Sequence, residues 1–169
     1  APIVSAPSLR PSAPNLRNRK ALLLLDQGRF EEAIVEAAAA EALNPNRKQM
    51  AYSMSLWIQA DGHQRQGRLE AAERLYRKAC AYQPHDRWSE SALGYLLGRT
   101  GRTGEAVTIL HELKRQVSLG RQQHKAIALV HLGLGERQEA LRWLDRGYAE
   151  RATAVLFVGL DPRFDDLRS

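Results

Sequence analysis

The heptapeptides QGRFEEA (27–33), QGRLEAA (66–72), TGRTGEA (100–106) and LGERQEA (134–140) share one pattern. Each carries a glycine at its second position: Gly28, Gly67, Gly101 and Gly135, spaced by 39, 34 and 34 residues. Each ends in an alanine five residues after the glycine: Ala33, Ala72, Ala106 and Ala140. Self-similarity at such a period marks stacked supersecondary units. A glycine between two helical patterns takes the positive φ of a tight helix-to-helix turn at no steric cost. The alanine falls on the second helix, facing the first, where a small side chain lets the two approach. Pro45 and Pro84 follow the first two glycines by seventeen residues and end the second helices, because proline donates no backbone hydrogen bond.

The pattern predicts four helical hairpins. Their helices fall at 16–27 and 31–43, 54–66 and 69–82, 88–99 and 105–117, and 122–134 and 138–151. The extra five residues before the second unit lie at 46–51, as a longer loop or a helix extension. The third unit has Ser118 where the proline belongs, and the fourth keeps Gly135 and Glu139-Ala140.

With Phe30 or Leu69 two residues after the glycine, then the alanine, then the proline, the first two units resemble the tetratricopeptide repeat (TPR). The resemblance covers residues 14–151, with units at about 14–47, 53–86, 87–120 and 121–151. It implies an all-α, right-handed solenoid of four hairpins, followed by a C-terminal capping segment at 152–169. The strings GLGERQEALRWLDRGYAER (133–151) and GLDPRFDDLRS (159–169) resemble the closing segment of TPR regions in bacterial regulatory and signalling proteins. There the repeats commonly sit behind a winged-helix, kinase or cyclase domain, so the resemblance implies a larger bacterial parent protein.

Composition narrows the function. The opening stretch 1–13 carries Pro2, Pro7 and Pro11 and no acidic residue, and reads as a linker or a processed N-terminus. It lacks the apolar core of a signal peptide, and the longest apolar run, LLLL at 22–25, is far from a membrane span. The reading favours the cytoplasm. The net charge of +6 comes from interleaved charges, which argues only weakly for nucleic acid. The single Cys80 can form no disulfide within the chain and makes no metal site alone. His63, His85, His111, His124 and His131 include no pair at the four-residue spacing of a helical metal site. No phosphate-binding loop or nucleophile elbow is present. The expectation is a protein that is not an enzyme and uses no cofactor and no metal.

The resemblance also implies where a partner binds, because in TPR arrays the first helices of successive hairpins line the concave face. Counting back from each glycine gives four rows. Two residues before it stand Asp26, Arg65, Arg99 and Gly133. Six before stand Leu22, Asp61, Tyr95 and Leu129. Ten before stand Asn18, Trp57, Ser91 and Lys125, and thirteen before Asn15, Met54, Trp88 and Gln122. The candidate groove is Trp57, Arg65, Trp88, Tyr95, Arg99 and Lys125. Tryptophan, tyrosine and arginine dominate binding hot spots, and arginine forks onto carboxylates. The expected occupant is a protein or peptide segment with acidic and apolar residues, and self-association is open. The lysine and asparagine clamp of co-chaperone TPR domains is not reproduced, since the first unit offers Asn18 and Leu22. The alternative, single-stranded nucleic acid on the aromatics, is disfavoured because Asp26 and Asp61 interrupt the basic track. Beyond the last hairpin, Leu156, Phe157, Val158, Phe164 and Leu167 are the expected cover for the exposed end of the solenoid. Asp161-Pro162 reads as an N-cap and first turn.

Overall fold

The computed structural model describes residues 13–43 and 50–167. Most of the expected linker at 1–13 and of the loop at 46–51 lies outside the described residues. The eight α-helices are α1 (Ala13–Asp26), α2 (Phe30–Ala42), α3 (Met50–Arg65), α4 (Leu69–Tyr82), α5 (Arg87–Arg99), α6 (Thr103–Ser118), α7 (His124–Gly133) and α8 (Arg137–Ala149). Two 3-10 helices follow, Thr153–Leu160 and Pro162–Leu167, and the described residues contain no strand. Each helix packs on the next, so the chain is an all-α solenoid of four hairpins. Helix α3 begins at Met50, one turn earlier than the spacing predicts.

The four repeat glycines do the same job in the same way. Their φ values are 75°, 75°, 80° and 79° for Gly28, Gly67, Gly101 and Gly135. In the first turn the N–H of Gly28 donates to Leu25 O at 3.0 Å and that of Arg29 to Leu24 O at 2.8 Å. Gly67 and Arg68, Gly101 and Arg102, and Gly135 and Glu136 repeat the pair of bonds. This double bond pattern satisfies the carbonyls that a helix end leaves bare. The residue after each glycine then caps the next helix with its own carbonyl, which accepts the N–H of Ala33, Ala72, Ala106 or Ala140. All four alanines are fully buried.

The third unit, without its proline, stops differently. Gly120 takes φ 80° after α6, and Gly120 N–H and Arg121 N–H donate to Val117 O and Gln116 O at 2.9 and 3.0 Å. The stop signal was in the sequence, as a glycine outside the repeat register. The C-terminal segment also follows a rule of its own. In a 3-10 helix, residues three apart share a face. Val155, Val158, Asp161, Phe164 and Leu167 are all at least partly buried, and Phe164 is only 1% exposed, packed against Ala128, Leu129 and Ala140. Leu156 and Phe157, expected to cover the solenoid end, point outward and stay exposed, because the threefold period puts them off the buried face.

Candidate functional site

Helices α3, α5 and α7 bring three of the predicted groove residues together: Trp57, Trp88 and Lys125, whose Nζ lies 6.0 Å from the Trp88 ring centroid. The Trp57 and Trp88 rings meet edge to face, with centroids 6.1 Å apart and planes at 61°. They line a cleft of about 670 Å³ whose apolar wall adds Leu22, Met50 and Met54. Arg87 and Arg121 also line it, and neither forms an ion pair among the described residues. The Arg87 guanidinium lies 5.3 Å from the Trp88 ring centroid, at cation–π distance. Trp88 is 46% exposed. The indole Nε1 of Trp57 is buried without a partner, as is Gln123 Oε1, another lining residue.

The lip of this cleft is held by Asp86 and His85. Asp86 caps α5: its carboxylate accepts from Trp88 N–H at 3.2 Å and from the hydroxyls of Ser89 and Ser53 at 2.7 and 3.1 Å. The Ser53 bond ties α3 to the start of α5. His85 sits at φ 66°, uncommon for a residue with a side chain. Its N–H donates to Glu90 Oε1 at 3.0 Å, and its Nδ1 lies 3.1 Å from Gln116 Nε2. Burial pushes the Glu90 carboxyl above its ordinary range, against these bonds. These contacts fix a backbone that would otherwise relax.

Lys125 is also held by the C-terminal tail, and Arg65, Tyr95 and Arg99 lie outside the cleft. Arg65 Nε donates to Asp61 Oδ2 at 2.8 Å, and its guanidinium lies over the Phe30 ring. Arg99 is exposed at the end of α5 and does not join the cleft. Lys125 Nζ stands 3.6 Å from Asp161 Oδ2 and donates to Phe157 O at 3.4 Å, with only 13% of its side chain exposed. Burial lowers the Lys125 ammonium pKa, with Asp161 opposing. Tyr95 lies beneath the Arg163 guanidinium, 5.9 Å from its ring centroid. Asn18 is fully buried; it donates to Ala51 O at 2.8 Å and accepts from Ser55 Oγ at 2.9 Å, so it pins α1 to α3.

Sequence reasoning passed over Arg87, Arg121 and Arg163. The first two flank helix starts outside the counted rows. Arg163 follows Asp161 by two residues, a pairing visible in DPRF, but only the fold shows what else it meets. Burial alone would raise the Asp161 carboxyl; the Arg163 guanidinium more than offsets this and holds it below the usual aspartate range. Among the described residues no group of three or more His, Cys, Asp or Glu side chains could hold a metal ion. Nor is any helix among them long and apolar enough to cross a membrane.

Repeated helix–glycine–helix hairpins stacked side by side, with aromatic residues on the first helices, define a helical-repeat solenoid. The tetratricopeptide repeat profile matches residues 10–158, and the chain belongs to the tetratricopeptide repeat family. No curated protein matches the sequence. Repeats of this family are generally protein–protein interaction modules and typically non-catalytic scaffolds.

Proposed function

We propose that this chain is a non-catalytic scaffold that holds a segment of a partner protein, as part of a larger bacterial regulatory or assembly protein. The carrying observation is the cleft of about 670 Å³ at Trp57 and Trp88. Its apolar wall offers the large, low-entropy contact area from which hot spots are built. Arg87 and Arg121 give it a positive side: neither forms an ion pair among the described residues, while the Asp86 carboxylate at the lip is taken up by Trp88 N–H and the Ser53 and Ser89 hydroxyls. Arg65 and Lys125, by contrast, are already matched by Asp61 and Asp161. The segment that fits therefore carries an aromatic or aliphatic side chain beside acidic residues.

The test is selection of short peptides from a displayed random library on the full chain. Acidic, aromatic-bearing sequences are the expected result. Trp88→Ala and the double variant Arg87→Glu/Arg121→Glu should each weaken a selected peptide by at least roughly tenfold, the effect of losing a hot-spot contact of about 1.4 kcal/mol. Equal binding by Trp88→Ala would refute the cleft, and selected sequences without acidic residues would refute the role of the arginines.

A further inference from the structure

The second 3-10 helix does more than close the last hairpin. Arg163 reaches from it over α5 toward α3. Its Nε and Nη2 fork onto Asp161 at 2.8 and 2.9 Å, its guanidinium lies over Tyr95, and its Nη1 stands 3.7 Å from Asp61 Oδ1. The next residue, Phe164, packs on Leu129 of α7. Asp61, Tyr95 and Leu129 are the residues six before the glycine in three successive hairpins. Two adjacent tail residues thus run along one row of the first-helix face, crossing three repeats.

The row is chemically matched to that dipeptide. Asp61 is 1% exposed and already accepts from Arg65. A buried carboxylate between two guanidiniums is a receptor for a cation, and Tyr95 adds an aromatic face to the same position. The fit is incomplete: Arg163 Nη1 is buried yet makes no hydrogen bond. The exposed, apolar Leu156, Phe157 and Leu160 show that the connection to α8 is only partly anchored.

We infer that residues 161–164 are an intramolecular ligand, which occupies the Asp61–Tyr95–Leu129 row and yields it to a partner segment bearing an arginine followed by a bulky apolar residue. The tail therefore sets a threshold: only a segment that outcompetes it gains the row, and apparent affinity falls by the fraction of chains with the tail in place. This site adjoins the tryptophan cleft, with Lys125 lying between the Trp88 and Phe164 rings, but the inference does not rest on what that cleft binds.

The experiment uses the full chain and a labelled synthetic peptide of residues 159–167, GLDPRFDDL. Arg163→Glu places a carboxylate against Asp61 and drives the tail off its row. That variant, with unchanged helical content by circular dichroism, should bind the peptide at least about tenfold more tightly than the wild-type chain, whose row is filled. Adding Asp61→Asn, or replacing the arginine of the peptide with alanine, should abolish the gain. Equal binding by wild type and variant, including none to either, overturns the inference. Should Arg163→Glu fail to fold, amide hydrogen exchange on the wild type decides. Residues 161–167 must exchange faster than α7, because the tail opens while the solenoid stays folded; exchange in step with α7 overturns the inference.

Discussion

The α5–α7 seam and the α3–α5 seam join equivalent helices of neighbouring hairpins, yet one is closed to backbone contact and the other stands open. Three glycines separate them. A Cβ on Gly98 would lie 2.6 Å from the carbonyl carbon of Gly133, one on Gly133 would lie 2.5 Å from Tyr95 O, and one on Gly94 would meet Val130 at 2.7 Å. At the register of Gly98 the other first helices carry Leu25, Gln64 and Leu132; at the register of Gly133 they carry Asp26, Arg65 and Arg99. Without side chains at these points α5 and α7 sink together. Between α3 and α5 the tryptophans meet ring to ring instead, and the space they prop open becomes the cleft. Side-chain volume at a few seam positions decides where a regular repeat opens.

The largest expected effect comes from giving the closed seam the side chain its sister helices have. Gly98→Leu must push α7 off α5 and should cost about 3 kcal/mol by urea unfolding, the upper end of the usual overpacking range. A loss below about 1 kcal/mol would mean that the seam can widen freely. Trp57→Ala should cost less, about 2 kcal/mol, because the ring is only partly buried although it touches both the first core and the central one. Trp88→Ala should remove about 1 kcal/mol, mostly the edge-to-face contact, since nearly half of the residue is already in water. An equal loss for the two tryptophans would show that Trp88 is held as tightly as Trp57 despite its exposure.

Gly104→Ala is the control for the glycine argument. Nothing lies within 4 Å of a Cβ there, in the first turn of α6, so thermal or urea unfolding should show a gain of about 0.5 kcal/mol. The smallest effect concerns Cys80. Burial pushes its thiol up to about 12, so iodoacetamide at pH 8 should leave it unmodified in the folded chain and label it only on unfolding.

Much of this molecule was legible as text. Gly28, Gly67, Gly101 and Gly135 announced four turns because positive φ is a local demand that glycine meets. Ala33, Ala72, Ala106 and Ala140 announced the helix contacts because burial at a fixed register repeats. Trp57 and Trp88 fell on first helices by counting alone. The buried face of the tail escaped the same reading, because a period of three residues looks irregular when 3.6 is sought.

The sequence by itself determined the repeat, the hairpin turns and the family, since each depends on residues within one unit. Only the tertiary structure decided which seam closes, which arginines are spent and which face solvent, and that Arg163 reaches Asp61 across 102 positions of chain. Those outcomes depend on distances between helices far apart in sequence, and these are set by the packing of every unit between them.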